Sequence, residues 1–242
     1  MTFVSNQAAL GLLVRKMERS GHLSNEERQA VENLSARVQT FAPRQDIVRD
    51  GDKPEHCCLL VEGWTFRYKL LGEGRRQILS FHVPGDVPDL HSLHINTMDH
   101  SLAALTEATI AFISHESLID VTKRFPGLAA ILWRETLIDA AIFRQWITGM
   151  GQRDAFGRMA HLFCELYCRM EAMGLAAEHR CTLPITQSEL GDALGLSSVH
   201  TNRVSKEMRR QGLIELRTRT LNITAWDRLA QAAEFDPAHL QH

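Results

Sequence analysis

The pattern of hydrophobic and polar positions changes character along the 242-residue chain. Before about residue 40, apolar positions recur at helical spacing, and Ser24 with Glu27 three residues later forms a capping-box pair that predicts a helix start. From Phe41 to about Ser114, the apolar runs become short and are separated by turn residues. This spacing predicts an antiparallel β-sandwich or barrel.

A long apolar stripe follows the predicted sheet domain. Beyond Pro126, apolar residues recur every three or four positions, which predicts one long helix, and Gly149 with Gly151 predicts a break or hinge near its end. The stripe consists of Leu128, Ile131, Leu132, Ile138, Ile142, Trp146 and Ile147. A helix this apolar needs a partner surface, which is either its own sheet domain or a second copy of the helix.

Near the C-terminal end, the pattern predicts two short helices joined by a tight turn. Thr186 and Glu189 form a second capping-box pair, Gly195 stands where the first helix would end, and Ser197 can cap the second. The outward positions of the second helix are Ser198, Val199, Asn202, Arg203 and Lys206. This spacing predicts a helix-turn-helix, whose second helix enters the major groove of DNA with its first residues.

A basic turn lies beyond these helices. The apolar runs "LIEL" and "LNIT" flank "RTRT", which predicts a two-stranded wing with Arg217 and Arg219 at its tip. The chain has a formal net charge of −2, yet Ser198–Arg219 contains six Lys or Arg residues against two acidic ones. Cations concentrated in this way displace counterions from phosphates, which favours double-stranded DNA as the partner. The alternatives are an ordinary helical hairpin in a core and, for the run of basic residues, a solvated helix face.

The composition of the chain argues against membrane-spanning, secreted and disulfide-rich classes of protein. Nowhere do 18 apolar residues run uninterrupted, and no basic residue precedes the short apolar stretch near the N-terminus, so we expect neither a membrane span nor a secretory signal. The five cysteines contain no CxxC pair. Such cysteine usage predicts a reducing cytoplasmic location without a disulfide framework or a zinc knuckle.

The chain resembles the Crp/Fnr superfamily of transcription regulators over nearly its whole length. The resemblance rests on "VPGD" in the predicted sheet, the long central helix and "ITQSELGDALGLSSVHTNRV", in this order. It implies an α+β fold with a jelly-roll sensor domain similar to cyclic nucleotide-binding domains in residues 1–125. A dimerisation helix at 126–150 and a winged helix-turn-helix DNA-binding domain at 151–242 would follow.

The resemblance also implies partners. Members of the family act as homodimers on near-palindromic DNA operators and present surfaces to RNA polymerase, so we expect a regulator without catalytic residues. Pairing of the central helix in a dimer selects the second copy as the partner of the apolar stripe. The interface residues expected on this basis are Leu128, Ile131, Ile138, Ile142 and Trp146.

Within the expected DNA-binding domain, the resemblance places Arg203 where the family has an arginine that reads a guanine edge. Val199 and Ser198 depart from the best-known members, and Val199 could pack on a thymine methyl but cannot accept a hydrogen bond. The operator is therefore expected to differ from the familiar half-sites. Expected backbone and further contacts are Ser197, His200, Gln187, Asn202, Lys206, Arg217 and Arg219.

The expected effector pocket departs from the cyclic-nucleotide pattern. Counted from the "PGD" at residues 84–86, the ribose-binding glutamate of the family falls on Leu90, and its phosphate-binding arginine falls on His100, followed by Ser101. Leu90 cannot bind a ribose hydroxyl, and His100 is a poor replacement for the permanent positive charge of an arginine. We therefore expect an unidentified small-molecule effector rather than cyclic AMP. No cysteine precedes Cys57, which argues against an iron-sulfur cluster of the Fnr type.

Several alternatives remain open at the sequence level. His82, His91, His94 and His100 could ligate haem or a metal, with His91 and His94 at HxxH spacing, or they could be polar loop residues. The neighbouring cysteines at positions 57 and 58 are either a redox pair or packed core residues. Two functions compete with DNA-dependent regulation. One is a cupin-like jelly roll that binds a metal, and the other is a ligand-binding protein whose helix-turn-helix has no DNA affinity.

Overall fold

The computed structural model describes residues 5–240, which divide into two units. The first unit holds the residues up to Lys69 together with Ser80–Asp139, and the second holds Leu70–Leu79 with the residues from Ala140 onward. The outer limits of the expected domains, at residues 1 and 242, lie outside the described residues. The predicted α+β fold class is confirmed.

Two helices precede the sheets of the first unit: α1 (Asn6–Ser20) and α2 (Asn25–Glu32). Ser5 begins α1 by accepting a hydrogen bond from the Ala8 amide at 3.2 Å. Ser24 and Glu27 form the predicted reciprocal capping box of α2, in which each side chain accepts from the other residue's amide. The sequence pattern therefore located the start of α2 correctly.

The strands that follow are β1 (Ala36–Phe41), β2 (Asp46–Val48), β3 (His56–Glu62), β4 (Thr65–Leu70), β5 (Arg76–His82), β6 (Ser101–Ala104) and β7 (Ala108–Ser114). They form a three-stranded sheet in the order β1-β7-β3 and a four-stranded sheet in the order β2-β6-β4-β5. The pairings of β7 with β1 and β3, and of β6 with β2 and β4, are antiparallel. This is the predicted β-sandwich, and its core includes Phe41, Cys58, Leu60, Leu102 and Ile110.

Strand β3 is buried along nearly its whole length, because a short 3-10 turn at Leu90–Leu93 packs against it. Cys57 and Cys58 are consequently both inaccessible, and the Asp89 carboxylate accepts a hydrogen bond from the Cys58 amide at 2.7 Å. Burial raises the pKa of both thiols above the usual range. The two cysteines are free thiols, so the structure favours packed core residues over a redox pair.

Two helices close this part of the chain: α3 (His115–Arg124) and α4 (Pro126–Gln152). Helix α4 continues through Gly149 and Gly151 and ends at Gln152, so the break lies just beyond the predicted glycines. A glycine inside a helix costs only about 1 kcal/mol, which neighbouring turns can offset. The chain leaves the helix at Asp154, whose side chain accepts from the Gly157 amide and starts the next helix.

The second unit continues with α5 (Ala155–Ala172), β8 (Arg180–Thr182), α6 (Gln187–Leu194), α7 (Ser198–Arg210), β9 (Ile214–Arg217), β10 (Thr220–Ile223) and α8 (Trp226–Ala233). Helix α5 is the centre of this unit, since both its apolar residues and Glu165 are buried. Burial raises the pKa of Glu165, while Arg169 at 3.1 Å and the Trp146 indole at 2.8 Å satisfy its oxygens. None of the described helices has the length and apolarity needed to span a membrane.

A glycine at the turn between β3 and β4 generates a prediction about stability. Gly63 has φ of +82°, and a Cβ there would overlap the Glu107 carbonyl oxygen, whereas Gly51 has φ of +89° and open space around it. We expect Gly51→Ala to lower the free energy of unfolding by about 1 to 2 kcal/mol through φ strain alone, and Gly63→Ala by about 4 kcal/mol. Urea denaturation followed by circular dichroism measures both, and equal losses would contradict this reading of the turn.

Candidate nucleic-acid interface

Helices α6 and α7 form the predicted helix-turn-helix. Thr186 begins α6 with a reciprocal capping box, since its hydroxyl accepts from the Glu189 amide at 3.2 Å and the Glu189 carboxylate accepts from the Thr186 amide at 2.7 Å. Gly195 ends α6 in the left-handed conformation, with φ of 65°. Both features confirm the sequence-based prediction.

The turn between the helices depends on a residue that sequence reasoning missed. A Cβ on Gly191 would lie 2.6 Å from the carbonyl oxygen of Leu196, so only glycine permits this close approach. The Leu196 amide in turn donates to the Gly191 carbonyl at 3.0 Å. A glycine in the middle of a short predicted helix was the available signal, because it is unfavourable there unless another backbone segment comes close.

Helix α7 has a buried face and a solvent face. Ser197 caps it by accepting from the His200 amide at 3.3 Å. Its buried side chains are Thr201, Val204, Ser205 and Met208. Its exposed side chains are Ser198, Val199, Asn202, Arg203, Lys206, Arg209 and Arg210. The periodicity therefore separated the two faces correctly, and the expected contact residues lie together along one side of α7.

The solvent face of α7 is electrostatically uneven. Arg210 is paired with Glu207 at 2.7 Å, and hydrogen bonds from Arg210 and then Gln211 lower the pKa of Glu207 to about 2. Among the described residues, no salt bridge engages Arg203, Lys206 or Arg209. These cations are available to an external anion, whereas the charge of Arg210 is largely neutralised.

A shallow groove runs beside this face of α7. Its lining residues are Phe156, Val199, Asn202, Arg203, Val204, Lys206, Glu207 and Arg210. Val199 is 79% exposed in the first turn of the helix, which is unusual for an aliphatic side chain. The groove therefore combines an exposed apolar side chain with unpaired cations.

The wing differs from the prediction by one strand. It is a three-stranded sheet in the order β8-β10-β9, in which β9 and β10 are the two predicted strands. Thr218 and Arg219 form the tight turn between them with φ of 49° and 62°. Arg217 and Arg219 are exposed at this turn, as expected, and Gln187 is half-buried in the first turn of α6.

The expected effector-pocket residues are buried and engaged inside the first unit. His82 shares a hydrogen bond with the Ser80 hydroxyl at 2.8 Å, and the Ser101 hydroxyl accepts from the Asp50 amide at 3.1 Å. Leu90 is buried. These contacts give His82, Leu90 and Ser101 internal structural roles, which the sequence pattern did not reveal.

The histidines group differently from the HxxH spacing. His94 is exposed, whereas His91 lies beside His100, with 5.1 Å between the ring centroids. Burial, and then the positive charge of Arg67, lower the pKa of His91 to about 4, and the same two causes lower the pKa of His100. Both imidazoles are therefore neutral at pH 7. The HxxH spacing of His91 and His94, one of the open alternatives, does not bring the two side chains together, because the 3-10 turn leaves His94 exposed.

Three of the expected interface residues on α4 are buried within the chain itself. Leu128, Ile131 and Ile142 have almost no accessible surface, and a Cβ on Gly21 would lie 2.9 Å from Ile131 Cγ1. Ile138 is half-buried, and Trp146 donates to the buried Glu165. The stripe that was read from the sequence is therefore mainly the inward face of α4, and the contribution of these residues to a dimer stays a prediction.

The fold and the interface define a class: a sensor-type β-sandwich followed by a winged helix-turn-helix of a transcription regulator. A family model described as a cyclic nucleotide-binding domain matches residues 38–125, and one described as a Crp-like helix-turn-helix domain matches residues 157–232. The chain belongs to the Crp/Fnr superfamily of transcription regulators, as its motifs indicated.

Individual relatives agree with this membership. The chain is 29% identical over 189 residues to the nitrogen fixation regulation protein FixK of Rhizobium meliloti, covering 77% of this chain and 82% of that protein. It is 23% identical over 212 residues to the fumarate and nitrate reduction regulatory protein of Escherichia coli K12, covering 87% and 84%. The structure of FixK2 from Bradyrhizobium japonicum matches with a TM-score of 0.74 at 25% identity, covering 82% of this chain and 98% of that one.

The cap of α7 gives a prediction that separates folding from binding. Ser197→Ala removes the acceptor for the His200 amide and should lower the free energy of unfolding by about 1 kcal/mol. Ser197→Asp keeps the cap but adds a negative charge at the start of α7, so it should keep stability and weaken DNA binding if phosphates lie at this end of the helix. Thermal unfolding and fluorescence anisotropy measure the two effects. Unchanged DNA affinity in Ser197→Asp would place the start of α7 away from the phosphates.

Proposed function

We propose that this protein binds a near-palindromic DNA operator as a homodimer and regulates transcription through contact with RNA polymerase. The observation that carries the proposal is the solvent face of α7, where Arg203 and Lys206 are exposed and form no salt bridge in the described chain. Arg210 pairs with Glu207 at i, i+3 spacing, whereas the unpaired cations give this face of α7 a positive local potential. Such a potential attracts the phosphates of DNA.

In this proposal, α7 lies in the major groove and reads bases with its first two turns. Arg203 donates two hydrogen bonds to a guanine edge, and the exposed Val199 packs against a thymine methyl. Lys206, Arg217 and Arg219 contact phosphates on either side of the groove. The remaining contacts, to backbone and to flanking base edges, come from Gln187, Ser197, Ser198, His200 and Asn202.

The dimer interface in this proposal is the outward face of α4. Trp133 is 69% exposed, Leu137 53% and Ile147 71%, and their spacing places them on one side of the helix. Large apolar side chains recurring in this way suit the seam between two parallel helices. This face replaces the interface residues expected from the sequence, and a two-fold axis along α4 would hold two half-sites about 34 Å apart.

We propose that the effector is not a cyclic nucleotide. The chain offers the buried Leu90 where ribose recognition requires a carboxylate, and the neutral His100 where a cyclic phosphate requires a permanent cation. The effector therefore has a different chemistry. The rival function is a jelly roll that binds a ligand or metal while its helix-turn-helix does not bind DNA. Direct measurements of DNA binding distinguish it from the proposed regulator.

The proposed base contact makes a prediction about specificity. After selection of bound duplexes from a random pool, Arg203→Ala should weaken operator binding by about 1 to 3 kcal/mol and relax the preference at one base pair in each half-site. Arg217→Ala should weaken specific and random DNA alike and reduce the dependence of binding on salt. If both variants lose the same affinity on operator and on random DNA, the base-reading role of Arg203 is overturned. If the wild-type chain enriches no DNA, with or without cell extract, the rival function is favoured.

The proposed interface makes a prediction about assembly. Replacing Trp133 and Leu137 by Glu should convert the dimer to monomers at micromolar concentration and lower operator affinity strongly, because the two half-sites are no longer bound together. Ile95→Glu, at a residue exposed to 55% in a loop, is the matched control and should leave the dimer intact. Sedimentation velocity distinguishes the two species. A dimer that persists in the double variant would assign the interface to another surface.

A further inference from the structure

Two histidines and an aspartate converge in the first unit at a place that the DNA interface does not involve. His91 lies in the 3-10 turn at Leu90–Leu93, and Asp99 and His100 come directly before β6. Each of the three residues offers one ligand atom, and these atoms lie within 4.8 Å of one another. The fold of the loop between β5 and β6 therefore assembles a group of metal-ligating side chains from separate positions.

The two imidazoles have unused nitrogen atoms. Nε2 of His91 and Nε2 of His100 are both buried, and neither has a hydrogen-bond partner within residues 5–240. His100 as a whole is more than nine-tenths buried. Buried polar atoms in folded proteins nearly always have a partner, so these two nitrogens, on rings whose centroids are 5.1 Å apart, are suited to a partner from outside the chain.

Asp99 gives His100 the orientation typical of a metal ligand. Nδ1 of His100 and Oδ1 of Asp99 are 2.7 Å apart. A carboxylate accepts the Nδ1 proton, which leaves the lone pair of Nε2 free, as in the carboxylate-histidine pairs that support bound metals. The two ring nitrogens point to different sides of the imidazole, so Asp99 supports the ring from outside the coordination shell of an ion at Nε2.

The geometry points to a new site: we propose that His91 and His100 bind one divalent first-row transition-metal ion through Nε2, while Asp99 orients the His100 ring and water completes the coordination. Two imidazoles suit ions such as Zn²⁺, Fe²⁺ or Co²⁺ rather than Ca²⁺ or Mg²⁺, which take mainly oxygen ligands. Ligand distances of about 2.0 to 2.1 Å require the two rings to adjust their positions slightly.

The surroundings of the proposed site connect it to α4. Arg67 is only 3% exposed, lies close enough for its charge to act on both histidines, and pairs with Asp139 on α4 at 2.7 Å. Its guanidinium also donates to the Pro88 carbonyl at 2.7 Å. Asp139 pairs with Arg67, and Asp99 supplies a negative charge that offsets part of the charge of the ion. This site goes beyond the proposed operator binding and does not depend on it.

The test is metal binding by the full chain without an affinity tag, after treatment with a chelator. Isothermal titration with Zn²⁺, and absorption spectra with Co²⁺, should show one ion bound per chain with mixed nitrogen and oxygen ligands. His91→Gln and His100→Gln should each weaken binding about 100-fold or more, and Asp99→Asn about 10-fold. His94→Gln, in the same loop but outside the group, should bind as tightly as the wild-type chain.

Thermal unfolding of the metal-free variants checks that the glutamine substitutions leave the fold intact. With Zn²⁺ added, the unfolding temperature of the wild-type chain should rise, while that of His100→Gln should not. The proposal is overturned if the wild-type chain binds no ion, if His91→Gln and His100→Gln bind as tightly as wild type, or if only His94→Gln loses binding. Haem uptake in place of ion binding would overturn it too. Operator affinity, measured on the same samples, reports separately on the proposed function.

Discussion

The close approach of the Gly191 backbone to the turn before α7 is the constraint on which the DNA-binding face depends. A side chain at this position would meet the Leu196 carbonyl, and the helix-turn-helix would open. The caps at Thr186 and Ser197 then fix where each helix begins. With its start and its inner face both determined, α7 can present only one set of residues outward, and that set is basic.

The chain distributes its charged groups in two ways. Inside the units, charges are paired and hydrogen-bonded, as with Glu165 and Arg169 or Arg67 and Asp139, because an unpaired buried charge is strongly destabilising. Along α7 and at the wing tip, Arg203, Lys206 and the two wing arginines remain exposed. A net charge of −2 for the whole chain therefore says little about the local potential that a nucleic acid would meet.

Sequence patterns predicted the features that short-range interactions determine. The capping boxes at Ser24 and Thr186, the left-handed Gly195 and the two faces of α7 all depend on residues within about four positions of each other. Features that depend on distant segments were missed. Strand β8 exists because β10 offers it an edge, and the grouping of His91 with His100 arises from the path of the loop between β5 and β6.

Helix α4 shows why hydrophobic periodicity alone could not identify its partner. The residues that form the clearest stripe, such as Leu128 and Ile131, are buried against the chain's own residues, while Trp133 and Leu137 lie on another face and stay exposed. A helix that carries apolar side chains on two faces is compatible with both of the interpretations that the sequence left open. One face packs on the chain's own residues, and the other is the face that we propose for a second copy, so burial within the chain was the observation that distinguished the two faces.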